Sequence, residues 1–394
     1  MGETAELNTD GILKAAADDR DRQEGFLPSH AQQTHASFLL PLSNGDLACV
    51  WFAGTEEGKP DVSIYFSRLP KGADAWTPEV KLSDDPTRSE QNPVLFEAPN
   101  GDLLLLYTSQ DFGNQDTSIV RRRISHDGGK SWGPIESPFP EEGLFIRNPV
   151  VVLANGDWLL PVFHCNPVPG EKWHGHNDTS GVKISTDQGQ TWTEYAVPGS
   201  VGAVHMNIVD LQNGELIALY RSRYADAIYI SRSTDNGRTW TEPVPTELPN
   251  NNSSIQARRL SDGAIALVYN AISAADSSDR RAGLYDGIDD GKPPVGEKDP
   301  ANDTLRRAVW GTPRSPMTIA ISTDGGASWP VRRNIDASSG AALSNDTSKA
   351  ERRNFELSYP TVAELEDGRI GVAYTYFRRA IKFVRFPRSW VSAA

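Results

Sequence analysis

The chain has 394 residues, 38% of them apolar, and a formal net charge of −13. That charge argues against nucleic acid as a partner and obliges any anionic ligand to meet a local cluster of arginines. No apolar run approaches membrane-spanning length, the two cysteines (Cys49 and Cys165) make no disulfide framework, and 33 glycines with 27 prolines suit a chain of many turns.

Residues 1–25 are polar and read as an N-terminal arm. They lack the apolar core of a signal peptide, so the chain as it stands is expected to be cytoplasmic. Residues 26–394 read as one domain built on a repeated unit. The first copy has strands at 35–42 and 47–53 joined by an Asn44-Gly45 hairpin, then a loop and an alternating strand at 61–67. It closes at Trp76. The hairpin glycine recurs at Gly101, Gly156, Gly214, Gly263 and Gly368. The closing turn recurs at 125–132, 185–192, 233–240 and 322–329 as Ser-x-Asp-x-Gly-x-Ser/Thr-Trp, with Trp390 as a worn copy.

In this turn Asp and Ser can bond nearby backbone, Gly supplies a positive φ and Trp packs back on the sheet. The interval between Gly263 and Gly368 is about twice the others, but a polar insert at about 273–313 holds no second strand pair, and a further insert runs over 337–354. Six four-stranded antiparallel units predict an all-β, six-bladed β-propeller, with seven blades as the runner-up. The sixth unit has three strands of its own (359–365, 370–376 and 380–386), so its fourth is expected from the arm near residues 24–30.

In such a ring the hairpins and closing turns share one face, and the starts of the innermost strands share the other. His35, Asn92, Arg147, His205, Gln256 and Tyr359 start innermost strands; Arg221 and Arg223 leave a second strand, and Asp61 and Arg314 begin third strands. All fall on the face away from the turns, which makes that end of the channel the candidate site. Arginines from three blades suggest a carboxylate pocket formed by Arg147, Arg314 and Arg221 or Arg223. The last two point the same way, and Arg221 is preferred. Tyr359 is a candidate nucleophile or proton donor, Asp61 (beside Glu56 and Glu57) a general acid/base, and His35 and His205 proton-transfer groups. Asn92 and Gln256 are further substrate-binding candidates. His164, His174, His176 and Asp178 lie in one loop of the third unit; their spacing matches no standard structural zinc site, so a substrate-covering loop is preferred and no metal or cofactor is expected.

The repeated turn resembles the Asp-box, or BNR repeat, of the sialidase (neuraminidase) superfamily, over about residues 30–390. Such sialidases hold a substrate carboxylate with three arginines, attack with a tyrosine assisted by a glutamate, and use a loop aspartate as acid/base. The resemblance implies Tyr359 as nucleophile, Arg314 as the third arginine, Arg221 or Arg223 as the second, and Asp61 as acid/base. Two positions depart. His35-Ala36-Ser37 stands where the family has its first arginine, and His205-Met206-Asn207 where it has the assisting glutamate. Arg147 is the candidate to restore the positive charge. The expected activity is exo-acting hydrolysis of an acidic sugar glycoside, an acidic oligosaccharide being the expected partner. The alternatives are a β-eliminating lyase on a uronic-acid glycoside, resembling lyases acting on rhamnosyl-glucuronate, and a non-catalytic glycan-binding propeller.

Overall fold

The structure, a computed structural model, describes residues 7–169, 171–285, 306–345 and 354–392. Six small antiparallel sheets follow one another around a six-bladed β-propeller. Blade 1 comprises Gln33–Pro41, Leu47–Gly54, Ser63–Leu69 and Val80–Lys81, hydrogen-bonded in that order. Blade 4 (Ala203–Asp210, Leu216–Ser222, Ala227–Ser233, Val244–Pro249) and blade 5 (Gln256–Arg259, Ile265–Asn270, Met317–Ser322, Val331–Asp336) repeat that order. Each second strand, such as Leu47–Gly54, is apolar and buried on both faces because a neighbouring blade covers each side. The outermost strands are largely exposed or half-buried, as in Thr193–Ala196 and Val244–Pro249.

Three blades depart from the regular plan. Blade 2 has three strands, Ser89–Glu97, Leu103–Asp111 and Asn114–Ser125, and its outer position is a single bridge between Arg122 and Glu136. Blade 3 has a broken innermost strand, Leu144–Phe145 and Val151–Val152, both pairing Trp158–His164, with Arg147 in the gap. Blade 6 contains Leu357–Glu364, Arg369–Tyr376 and Ala380–Pro387; its outer strand is Gln23–Phe26 from the other end of the chain, with Lys14–Ala15 beyond it. Trp390 is not a closing-turn residue: it lies on a short helix, Arg388–Ser392, and stacks on Phe386.

The four turns share one construction. In the turn at 185–192, Asp187 Oδ1 accepts from the N–H groups of Gln190 and Thr191, and Oδ2 from the Thr191 hydroxyl at 2.5 Å. Ser185 Oγ accepts from Gly189 N, and Gly189 has φ 84°. The Trp192 and Trp240 indoles each donate to the carbonyl of their own turn glycine. These contacts are all local, so the motif folds alike wherever it recurs.

Candidate active site

The innermost strands are bulged where they reach the channel. Pairing slips between His35 and Phe38, Gln91 and Val94, Val204 and Asn207, and Ser358 and Thr361. The first residue in each slip has a left-handed backbone: Ala36 (φ 55°), Asn92 (48°), His205 (52°) and Tyr359 (50°). Left-handed φ costs a bulky residue ~1–3 kcal/mol and persists only where surroundings enforce it. Arg147 supplies part of that enforcement. Its Nη2 donates to the carbonyls of Ser37 (3.1 Å), Tyr359 (3.2 Å) and Pro360 (3.4 Å), so blade 3 clasps the bulges of blades 1 and 6. Asn148 Nδ2 clasps the carbonyl of His205 in the same way, at 2.6 Å. Bulges next to active sites re-aim side chains, and here they turn His205 and Tyr359 toward one centre.

Tyr359 lies at that centre. Arg221 Nη1 donates to its hydroxyl at 2.7 Å, and the Arg147, Arg221 and Arg314 guanidiniums lie 5.4, 5.7 and 5.7 Å from its ring. The His35 and His205 rings lie 4.3 and 5.8 Å from it. Arg221 Nε is held by Asn252 Oδ1 at 2.8 Å, its Nη1 lies 3.4 Å from His205 Nε2, and Nη2 has no hydrogen-bond partner among the described residues. His205 Nδ1 faces Ser254 Oγ at 3.1 Å. Burial, with arginines close by, holds both imidazoles neutral, their pKa well below 6.5. Burial also brings Arg147 down to about 10 and Arg221 down to about 9. Neither arginine has a carboxylate partner among the described residues.

A second layer is fully ion-paired. Glu356 takes Arg314 Nη1 (3.2 Å), Arg378 Nε (3.1 Å) and the Ser358 hydroxyl (2.7 Å), with His35 Nδ1 at 3.6 Å. Arg378, at the turn into the last strand of blade 6, also reaches Glu57 (2.5 Å) and lies 3.4 Å from His35 Nε2. Burial opposes charge on Glu356, but Arg314 and Arg378 overcome it and hold its carboxyl well below the usual range. His35 therefore has a charged partner at each nitrogen and links blade 1 to this network.

Several predicted residues have other work. Arg223, read as a carboxylate-binding candidate, has its Nη2 paired with buried Asp178 at 2.7 Å, and its guanidinium lies against Phe163, Trp173 and Trp310. Asp178 also accepts from Trp173 Nε1, while His164 meets Glu194 and His174 the carbonyl of Ala282. Asp61 is exposed, precedes rather than begins its strand, and gives both oxygens to Thr55. Gln256 Oε1 accepts from Val362 N and the Thr361 hydroxyl, joining blade 5 to blade 6. Asn92 is buried at its bulge with Oδ1 unpartnered among the described residues. Arg147 grips the backbone end of Tyr359, opposite the hydroxyl held by Arg221. Arg314 precedes its strand, which starts at Met317.

Sequence reasoning missed Glu356, Arg378, Asn252, Tyr285 and Trp310. The last two come from the long insert: Tyr285 accepts from Gln110, and Trp310 lies 5.7 Å from the Arg221 guanidinium. Glu356, three residues before Tyr359, was the nearest to a readable signal.

The fold and this end of the channel define a sialidase-type propeller. The profile of the BNR repeat-like domain matches residues 45–372, and the chain belongs to that family. No curated protein matches it in sequence. Among solved structures it is similar to a Hadza microbial sialidase (14% identity, TM-score 0.67, covering 92% of this chain and 67% of that one). It is also similar to a protein of unknown function from Dyadobacter fermentans (17%, TM-score 0.65, 93% and 98%). The Ruminococcus gnavus intramolecular trans-sialidase, solved with oseltamivir carboxylate, is a third (15%, TM-score 0.64, 92% and 96%). At these identities the likeness is one of fold.

Proposed function

We propose that this protein cleaves the glycosidic bond of a carboxylate-bearing sugar, as a sialidase-like exo-acting hydrolase. The observation that carries the reading is the Tyr359 hydroxyl, 2.7 Å from an arginine that has no carboxylate of its own among the described residues. A substrate carboxylate would supply the missing charge, accepting from Arg221 and from the part of the Arg314 fork not engaged by Glu356. That would set the anomeric carbon against Tyr359, whose oxygen bonds to it as the glycosidic C–O bond breaks, while Arg221 stabilises the charge on the phenol oxygen. The phenol proton passes through water to the departing oxygen, which leaves as an alcohol. Water then adds to the same carbon as the Tyr359–sugar bond breaks, one of its protons returning to the phenol oxygen, and the free sugar is released. Relatives named as sialidases, one of them solved with a carboxylate ligand, support the substrate class.

A second reading, β-elimination from a uronic-acid glycoside, is favoured by the neutral imidazole of His205, whose Nε2 lies 3.4 Å from the arginine that holds the Tyr359 hydroxyl. In it an arginine-bound carboxylate acidifies the adjacent C–H, His205 Nε2 takes that proton and Tyr359 protonates the leaving oxygen. Incubation with sialosides and with uronate-terminated oligosaccharides separates the two. Hydrolysis gives released sugar without new ultraviolet absorbance; elimination gives the absorbance of an unsaturated uronate. Binding without turnover on either panel would sink both and leave a glycan-binding propeller.

A further inference from the structure

Three consecutive asparagines, Asn250, Asn251 and Asn252, lead toward the first strand of blade 5, and all are buried. Each serves the cationic side of the site. Asn250 Oδ1 accepts from the backbone N–H of Ser222, next to Arg221, and from that of Asn252, both at 3.0 Å. Asn251 Nδ2 donates to the carbonyl of Pro313, next to Arg314, at 2.8 Å. Asn252 Oδ1 accepts from Arg221 Nε, and its Nδ2 donates to the carbonyl of Val309 at the end of the insert, each at 2.8 Å. These partners fix the amide's orientation, because a guanidinium N–H needs the oxygen and a carbonyl needs the NH₂. Asn252 has φ 56°, a conformation asparagine adopts more readily than most residues.

Arg147 Nη2 donates to three backbone carbonyls, and three other buried arginines on this rim are held by carboxylates. Arg223 is held by Asp178, Arg314 by Glu356, and Arg378 by Glu356 and Glu57. In each case the group that aims the fork also cancels its charge. Arg221 is aimed by a neutral amide and meets a phenol and a neutral imidazole. An uncompensated buried cation is costly, so its retention calls for an anion that arrives from outside.

We propose that Asn252 is a positioning residue: it aims Arg221 at Tyr359 and at the substrate carboxylate while leaving the arginine's charge for that carboxylate, and Asn250 and Asn251 fix the backbone beside Arg221 and Arg314. This deepens the carboxylated-sugar reading and rests on it.

The test is calorimetric binding of N-acetylneuraminic acid and of glucuronic acid, each against its methyl ester. Wild type is expected to bind one of the free acids at least about tenfold tighter than its ester. Asn252→Asp, nearly isosteric, gives Arg221 a carboxylate and should bring that preference to within about twofold. Asn252→Gly takes the left-handed backbone without strain and keeps the cation but loses its aim; it should weaken acid binding several-fold and leave ester binding unchanged. Melting temperature and near-ultraviolet circular dichroism check that each variant is folded. If Asn252→Asp does not fold, the glycine variant decides. A folded variant that keeps the full wild-type preference overturns the role of Asn252 while leaving the substrate class intact. Wild type without any acid-over-ester preference overturns the substrate class, and the role of Asn252 with it.

Discussion

On the rim that carries the repeated turns, the turn aspartates are met within a few residues. Asp127, Asp187, Asp235 and Asp324 each accept from a hydroxyl and N–H groups of their own turn, and those donors bring Asp187 and Asp324 down to about 2. On the opposite rim charge is met across blades. Glu356 of blade 6 takes Arg314 of blade 5, Arg378 reaches Glu57 of blade 1, and Arg221 of blade 4 reaches Tyr359 of blade 6. The first arrangement is satisfied before the ring closes; the second exists only once all six blades are in place. Structure is therefore spread over four equivalent turns, whereas chemistry depends on single side chains.

That contrast can be broken at three strengths. The largest effect is expected from Tyr359→Phe, which removes the hydroxyl held by Arg221 and should lower kcat by ~10²–10⁴-fold with the fold retained. Retention of most activity would remove Tyr359 from the chemistry. The next concerns pH. His35 and His205 are buried and held neutral, with pKa values well below 6.5 in the folded protein. The unfolded chain takes up those protons as pH falls through about 6.5, and the folded protein does not. The stability they confer is thus fully present above that pH and is lost below it, by about 1.4 kcal/mol per pH unit for each histidine. Urea unfolding across this range should show the slope, and His205→Asn should reduce it. An unchanged slope would mean that His205 takes up its proton in the folded state. The smallest effect is expected from Asp235→Ala, one turn of four. It should lower the melting temperature by a few degrees and leave kcat/KM unaltered; a loss of activity would break the division between the rims.

The same division governs what the sequence reveals. The four turns, the hairpin glycines and the blade number are legible because each motif is closed by its own neighbours. Tyr359 and Arg221 are legible as polar residues at channel-facing positions. The partners that decide an arginine's role are not: Asp178 stands 45 residues from Arg223 and Glu356 stands 42 from Arg314, and no local periodicity connects them. Asp61 fits the superfamily pattern by its place in the loop, and its local pairing, in which both oxygens accept from Thr55, is not part of that pattern.

The outer strand of blade 6 is Gln23–Phe26, and its partner is Ala380–Pro387. Gln23 and Arg385 are paired although 362 residues apart in sequence, so this edge of Gln23–Phe26 has no partner until Ala380–Pro387 is made. Its edge is open to other chains for that time, and a chain stalled before the last strand cannot close the circle. Ring closure thus waits on the last strand of blade 6, and assembly of the cross-blade site waits on the same step.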